Sequence, residues 1–264
     1  MDEQHLHLEV LQEYRDIQAR RLENLIFRFA FSDATPEQEI FVKFRDSLWG
    51  KGLLHLQDPL SNDQRSVVKT PEDTPWALSL PGGKILERSE YKEAEQVVLW
   101  ANKDKGDVVN IVGHPGIGSS AFLSLYAEPN LELGKSVFLL WLLMRRLVLE
   151  LPTAVQVIPG QVILFHKHGT SQFSHLESID TYRSLAFSSD PREKIWVLVD
   201  SNQDLLEPAP IFRRGLFFVV QALSPRAPRS GWAKKVSYEH FYMKTWTRSE
   251  VQKASVTLFD GSYA

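Results

Sequence analysis

The feature that most constrains the fold is a glycine-rich turn that stands directly behind a short apolar run. Residues 108–112 read VVNIV and residues 113–118 read GHPGIG. A strand that enters such a turn is the first half of a P-loop, whose full pattern is G-x-x-x-x-G-K-[ST]. The pattern breaks after Gly118, because Ser119 stands where the lysine belongs.

The second half of the motif stands further along the chain. Gly134, Lys135 and Ser136 precede the apolar run VFLLWLLM at 137–144. Without residues 119–134 the sequence would be GHPGIGKSVFLLWLLM, which is a complete P-loop followed by the start of a buried helix. We therefore interpret 119–134 as an insert. Two origins stay open: an intron translated in frame, or a genuine insertion that disables or regulates the site.

The residue types of this motif suit the binding of phosphates. Glycines let backbone N–H groups converge on an anion, and the N-terminus of the following helix adds a favourable dipole. The lysine contacts the β- and γ-phosphates, and the Ser hydroxyl holds Mg²⁺. An acid at the end of a neighbouring strand holds the metal from the other side. Asp200 fits that role, since it follows the apolar run IWVLV at 195–199.

These roles define the candidate site. Lys135 and Asp200 are the predicted catalytic residues, and Ser136 and Asp200 are the predicted Mg²⁺ ligands. Ser224 ends the apolar run that precedes it and could sense the γ-phosphate, although a turn-forming Ser-Pro pair is an equal explanation. Arg226 or Arg229 could act as an arginine finger. The residues predicted to bind the nucleotide are Gly113, His114, Pro115, Gly116, Ile117, Gly118, Lys135, Ser136, Ser224 and Arg229.

Apolar runs alternate with helical patterns and predict an α/β fold. Strand candidates lie near 108, 154, 162, 195 and 216, and helices are predicted at 3–31, from Pro36, at 89–102 and at 135–150. Continuous apolar strands between helices favour a mostly parallel sheet with helices on both faces. Shorter strand candidates are 53–56 and 76–80. The predicted domains are a helical N-terminal region (1–56), a flexible loop (57–75), a P-loop NTPase-like domain (76–256) and a doubtful tail (257–264).

Composition excludes several classes of function. The chain has 264 residues and no cysteine, so disulfides, cysteine-based zinc sites and a catalytic cysteine are ruled out. The net charge of −3 gives no overall attraction to nucleic acid or membranes. The longest apolar stretch is far shorter than the ~20 residues that span a bilayer. We expect an intracellular protein, with cytoplasm and nucleus not distinguished. We expect the predicted helix at 3–31 either to pack on its own domain or to dimerise or bind a protein partner.

Two further clusters of side chains are candidates for ligand binding. His166, His168 and His175 could approach a metal, but no pattern of acids accompanies them. Cations and aromatic residues mix near the end of the chain, which suits either a nucleic-acid surface or a solvated edge over core aromatics. The members of this second cluster are Arg226, Arg229, Trp232, Lys234, Lys235, Tyr238, Phe241, Tyr242 and Trp246.

The segment from Trp76 to about Val251 resembles fungal P-loop NTPase-like proteins that are grouped with Crinkler effectors and retrotransposon-hot-spot proteins. The matching features are Leu80-Pro81 with Arg88 and Tyr91, GHPGIG…GKS, FLLWLLMRRL, PTAVQ, LFHKHG, IWVLVDSN, VVQALSPRAPR and FYMKTWTRSEVQ. In such proteins the lysine follows the last glycine at once. The resemblance implies ATP as the nucleotide, ATPase activity, and a domain truncated after Thr247.

Three functions follow as expectations. The first is an ATP-binding switch that hydrolyses ATP, weakened or inactivated by the insert. The second is a non-catalytic, degenerate P-loop fold that acts as a protein-interaction or effector module. The third, a DNA-associated effector or mobile-element protein, follows from the resemblance. Mg²⁺ would accompany ATP in the first case.

Overall fold

The computed structural model describes residues 36–56, 67–71, 84–104, 106–113, 133–173, 194–201, 205–214, 217–223, 232, 237–247 and 249–250. The predicted helix at 3–31, the strand candidate at 76–80 and the tail lie outside these residues. The helices are α1 (Pro36–Leu48), α2 (Ser89–Lys103) and α3 (Leu133–Val148), with 3₁₀ helices at Leu53–Leu56 and Pro210–Arg214. The strands are β1 (Val67–Lys69), β2 (Lys84–Leu86), β3 (Val108–Val112), β4 (Thr153–Ile158), β5 (Gln161–His166), β6 (Gly169–Phe173), β7 (Trp196–Asp200), β8 (Phe218–Leu223) and β9 (Tyr238–Tyr242).

A seven-stranded, mostly parallel sheet forms the centre of the fold. Its strand order is β6-β5-β4-β7-β8-β3-β9, and β4, β7, β8, β3 and β9 run parallel to one another. The predicted α/β class with a mostly parallel sheet is thereby confirmed. Since the strands are parallel, their carboxyl ends meet at one edge of the sheet, and ligand sites of open α/β sheets lie at such edges.

One strand runs against its predicted direction. The candidate near 162 is β5, which pairs antiparallel with β4, whereas the prediction made it a parallel member. Pro159 and Gly160 alone connect these strands, and so short a link can join only antiparallel neighbours. Gly160 has a φ of +74°, which glycine adopts without strain. The fifth parallel strand of the sheet is β9. It lies in the stretch near the chain end that was interpreted as a nucleic-acid surface or a solvated edge over core aromatics.

Two short segments also differ from expectation. Residues 53–56 form a 3₁₀ helix rather than a strand, because the preceding glycines fold the chain against the end of α3. The N–H groups of Gly50 and Gly52 donate to the carbonyls of Leu147 (3.3 Å) and Val148 (3.1 Å). Residues 67–69, within the segment predicted as a loop, form β1, which pairs antiparallel with β2.

The sheet is covered on its two faces by different elements. One hydrophobic cluster packs α1, α2 and α3 against a single face, and side chains 138–144 of α3 are all buried in it, as their apolar run predicts. The second cluster covers the opposite face and contains Ile211 and Phe212 of the second 3₁₀ helix. Among the described residues, the α-helices therefore share one face.

Candidate functional site

The strand β3, next to the edge strand β9, leads to the candidate site. It is buried along its whole length between β8 and β9. The next residue, Gly113, donates its N–H to the carbonyl of Leu223 at the end of β8, over 3.3 Å. The start of the glycine-rich turn is therefore anchored at the carboxyl edge of the sheet.

Lys135 lies against this edge, although it is 22 positions from Gly113 in the chain. Its ammonium group donates to the Gly113 carbonyl over 3.0 Å, and the residue is only 2% exposed. A buried ammonium is costly unless hydrogen bonds compensate it, and the carbonyl supplies one of them. The predicted lysine thus lies at the end of the predicted strand.

The contact also locates the beginning of α3. This helix starts at Leu133, two residues earlier than predicted, so it includes the last positions of the proposed insert. Its positive N-terminal end lies at the carboxyl end of β3, because Lys135 in its first turn contacts Gly113. Ser136, the predicted Mg²⁺ ligand, is the next residue and is half-buried.

Asp200 ends β7 at the same edge, but β7 is not adjacent to β3. Asp200 pairs with Ala222 of β8, and Ala222 also pairs with Ile111 of β3. The acid is therefore level with the end of β3 and separated from it by two strand spacings, ~10 Å. The expectation of a neighbouring strand was wrong, since β8 lies between them. Asp200 and Lys135 thus lie at the same edge of the sheet. There the carboxylate could hold a metal ion while the ammonium contacts a polyphosphate bound to that ion.

A buried polar network beside Asp200 was not predicted. Gln221 of β8 donates to the Ser201 hydroxyl over 2.6 Å and accepts from the Trp232 indole N–H over 3.1 Å. The Ser201 N–H donates to the Ala222 carbonyl over 3.1 Å. These bonds hold the ends of β7 and β8 together immediately after Asp200. A signal was present in the sequence, because Gln221 interrupts an otherwise apolar strand.

The remaining predicted site residues lie outside the part of the chain that the structure describes. They are His114, Pro115, Gly116, Ile117, Gly118, Ser224, Arg226 and Arg229. Most of the predicted insert also lies there. The geometry of the candidate site thus rests on Gly113, Lys135, Ser136 and Asp200.

The aromatic members of the cluster near the chain end have different environments. Trp232 is buried in the core on the second face, and Phe241 packs against the core on the first. Tyr238 and Tyr242 are exposed on β9, at 39% and 67%. Trp246 is half-buried, and the Arg88 guanidinium lies 5.1 Å from its ring. Within this cluster, the two tyrosines are thus the aromatic residues most exposed to solvent.

The histidines near 166 have structural partners. His166 is buried, its Nδ1 accepts from the His168 N–H at 3.3 Å, and its Nε2 lies 3.0 Å from the Ser171 hydroxyl. Burial, helped by nearby cations, lowers the pKa of His166 to about 3, so its ring is neutral at neutral pH. His175 lies outside the described residues. Within those residues, no group of three or more histidine, aspartate or glutamate side chains is placed to hold a metal.

A buried ion network joins α2 to the chain after β9. The Arg88 guanidinium lies 2.7 Å from a Glu90 oxygen and 3.0 Å from a Glu250 oxygen. Glu90 also accepts the N–H of Lys244. Burial raises the pKa of Glu90. For Glu250, burial acts the same way but the hydrogen bonds from Arg88 and Thr247 outweigh it, so its pKa is lowered. The network stabilises β9 beside β3.

Comparison of the chain with protein-family models, with curated proteins and with solved structures gave no match. Over the described residues, none of the helices has the length and apolar character needed to cross a membrane.

Proposed function

We propose that this chain binds a nucleoside triphosphate, with ATP as the first choice, in a P-loop NTPase-like fold. The observation that carries the proposal is the hydrogen bond between the Lys135 ammonium and the Gly113 carbonyl. It joins Lys135 to Gly113, the first residue of the glycine-rich turn, at the carboxyl edge of a parallel sheet. Phosphates would bind at the glycine-rich turn, beside the N-terminal end of α3.

The residues at this edge suit the proposed ligand. Lys135 supplies a cation for the β- and γ-phosphates. The Ser136 hydroxyl and the Asp200 carboxylate are oxygen ligands of the kind that Mg²⁺ prefers. Mg²⁺, when bound, would neutralise phosphate charge, and the role of Asp200 would be to hold it from the side opposite Lys135.

The insert is expected to reduce affinity rather than displace the site. Lys135 keeps its place in the fold, but its ammonium already contacts Gly113, and the phosphates must replace or share that bond. Because the glycine-rich turn does not lead directly into α3 in the sequence, we expect its N–H groups to be less preorganised for phosphate. Loss of one charge-assisted contact costs about 1.5–3 kcal/mol, which is about ten- to over a hundredfold in affinity.

Calorimetric titration with MgATP tests the site. The chain should bind weakly, the variant lacking residues 119–134 should bind more tightly, and Lys135→Ala should abolish binding in both. Lys194→Ala is the matched control, because Lys194 pairs with Asp107 at the opposite edge of the sheet. Equal affinity with and without the insert would refute its proposed effect. Binding that survives Lys135→Ala would refute the site.

Hydrolysis is a further part of this proposal and belongs to the variant lacking the insert. There, Lys135→Ala and Asp200→Asn should each abolish turnover, measured as phosphate release. Turnover unchanged by either substitution would exclude that residue from the reaction.

A degenerate fold without nucleotide is the second candidate. The same Lys135 hydrogen bond would then be a structural tether between α3 and β3. In that case MgATP would leave the melting temperature unchanged, while Lys135→Ala would lower it. The module would serve protein interaction or an effector role. Association with DNA, and kinship with Crinkler or retrotransposon-hot-spot proteins, are proposals that rest on the sequence resemblance.

A further inference from the structure

The strand β9 carries a row of aromatic rings on one face. Tyr238, His240 and Tyr242 alternate along it, with ring centroids 5.1 Å and 5.9 Å apart. Tyr238 and Tyr242 are well exposed, and His240 between them is half-buried. Exposed tyrosines in series on a rigid strand are unusual for a surface that contacts only water, because their apolar area is large.

The backbone that carries the last of these rings lies next to the start of the glycine-rich turn, and the ring itself lies on the sheet face away from α3. Tyr242 pairs with Val112, the residue before Gly113. The next N–H along β9, that of Met243, donates to the Val112 carbonyl over 2.8 Å. Neighbouring strands are ~5 Å apart, so the backbone of Tyr242 lies beside the point where the glycine-rich turn begins.

The backbone under Tyr242 is held firmly from the opposite face. Phe241 and Met243, which flank it, pack into the core beneath the α-helices. Beyond them, Lys244 and Thr245 are held through their backbones by Glu90 and Arg88. The ring is therefore positioned by a fixed strand, while 67% of the residue stays exposed. Such a ring can stack on a planar ligand with little loss of conformational entropy.

We propose that Tyr242 is the stacking surface for the base of the nucleotide whose phosphates bind at Gly113 and Lys135. This inference rests on the proposed function and adds to it the group that recognises the base. Stacking accepts any base, and a purine offers the larger π-face, so the ligand class is a purine nucleoside triphosphate. Tyr242 thus gives nucleotides a higher affinity than inorganic polyphosphate, because polyphosphate has no ring to stack.

The test compares two probes on the full chain, MgATP and magnesium tripolyphosphate, by ligand-observed NMR, which detects weak binding. Tyr242→Ala should weaken MgATP about five- to a hundredfold, the range for loss of one base-stacking contact. Its affinity for tripolyphosphate should stay unchanged. Tyr242→Trp should retain MgATP affinity, since it keeps a ring at this position.

Tyr238→Ala is the matched control, because Tyr238 lies on the same face at the amino end of β9, ~13 Å along the strand. It should leave both probes unaffected. Thermal melting of both variants should match the unmodified chain, since the tyrosines are exposed.

Three outcomes would overturn the inference. If Tyr242→Ala leaves MgATP affinity unchanged while Lys135→Ala weakens both probes, the base binds elsewhere and the proposed function stands. If Tyr238→Ala and Tyr242→Ala weaken MgATP equally, the whole row is a platform for a longer ligand such as a single-stranded nucleic acid. If neither probe binds the unmodified chain, the proposed function fails as well.

Discussion

Buried polar side chains mark the candidate site at the scale of single residues. Lys135 and Gln221 are both buried, and each is hydrogen-bonded at the carboxyl edge of the sheet. Because a buried polar group without a partner is costly, such side chains are tolerated where their bonds position something. Here Lys135 joins α3 to β3, and Gln221 joins the ends of β7 and β8.

Gln221→Leu should therefore lower the stability of the fold and reduce the contribution of Mg²⁺ to ATP affinity. It removes the bond to Ser201 and leaves the Trp232 indole N–H without its partner, so the free energy of unfolding should fall by about 1–3 kcal/mol. If Gln221 positions Asp200, the variant should lose more affinity for ATP with Mg²⁺ than without it. Chemical denaturation and paired titrations with Mg²⁺ or EDTA measure the two effects.

The control for this prediction is Gln156→Leu. Gln156 is also a buried glutamine in a strand, and its side chain accepts the N–H of Ala209. Its replacement should lower stability without changing the Mg²⁺ dependence of binding. An identical Mg²⁺ dependence in the two variants would show that Gln221 is only structural.

At the scale of elements, the position of β9 depends on side chains far away in the sequence. Arg88, at the start of α2, holds Glu250 beyond the end of β9 and pairs with Glu90 beside it. The pKa values of the two acids shift in opposite directions: burial raises the pKa of Glu90, whereas for Glu250 the hydrogen bonds from Arg88 and Thr247 outweigh burial and lower the pKa. The edge strand is thus fixed by a network rather than by pairing with β3 alone.

Glu250→Gln should lower the free energy of unfolding by about 2 kcal/mol at pH 7, the scale of a charge-assisted hydrogen bond. A lowered pKa means that the unfolded chain binds more protons, so the stabilisation is present above the ordinary pKa of 4.5 and is lost as the pH falls through the lowered value. The difference between variant and unmodified chain should therefore shrink below about pH 4.5 in denaturation at several pH values.

Glu93→Gln provides the comparison, since Glu93 is exposed and its oxygen is 3.6 Å from the exposed Lys244 ammonium. It should change stability little at any pH. A constant difference for Glu250→Gln across the acid range would show that its charge does not contribute.

For the whole molecule, α1 and the sheet share one core. Phe44 of α1 is fully buried, and its ring lies 6.0 Å from that of Phe165 in β5, edge to face. Arg45 also donates to the carbonyl of His166 over 3.1 Å. Phe44, Leu48 and Leu56 belong to the same hydrophobic cluster as the central helix α3.

Phe44→Ala should consequently destabilise the whole fold by about 3–5 kcal/mol, because it opens a cavity in the shared core. Ile40→Ala on the same helix is the control, and its effect should be small since Ile40 is 41% exposed. Denaturation followed by tryptophan fluorescence and by circular dichroism should give one coincident transition in each variant. An unchanged sheet transition in Phe44→Ala would mean that α1 unfolds separately.

Much of the fold could be predicted from local patterns. Apolar faces at helical spacing predicted α1 and α2, a long apolar run after Lys135 predicted α3, and shorter apolar runs predicted β3, β4, β5, β7 and β8. Both patterns depend on contiguous residues, which is why they can be read without tertiary information. Misreadings arose where a segment has short or mixed patterning, as in β1, the 3₁₀ helix at 53–56 and β9.

The sequence by itself determined most of the elements, the glycine-rich turn behind an apolar strand and the acid at the end of another. Only the tertiary structure decided the strand order, which separates Asp200 from β3 by β8. It also decided that Lys135 returns to Gly113 and that Tyr242 lies beside that turn while Trp232 is buried. The physical reason is that these relations depend on pairing and packing between distant segments, for which no local periodicity exists.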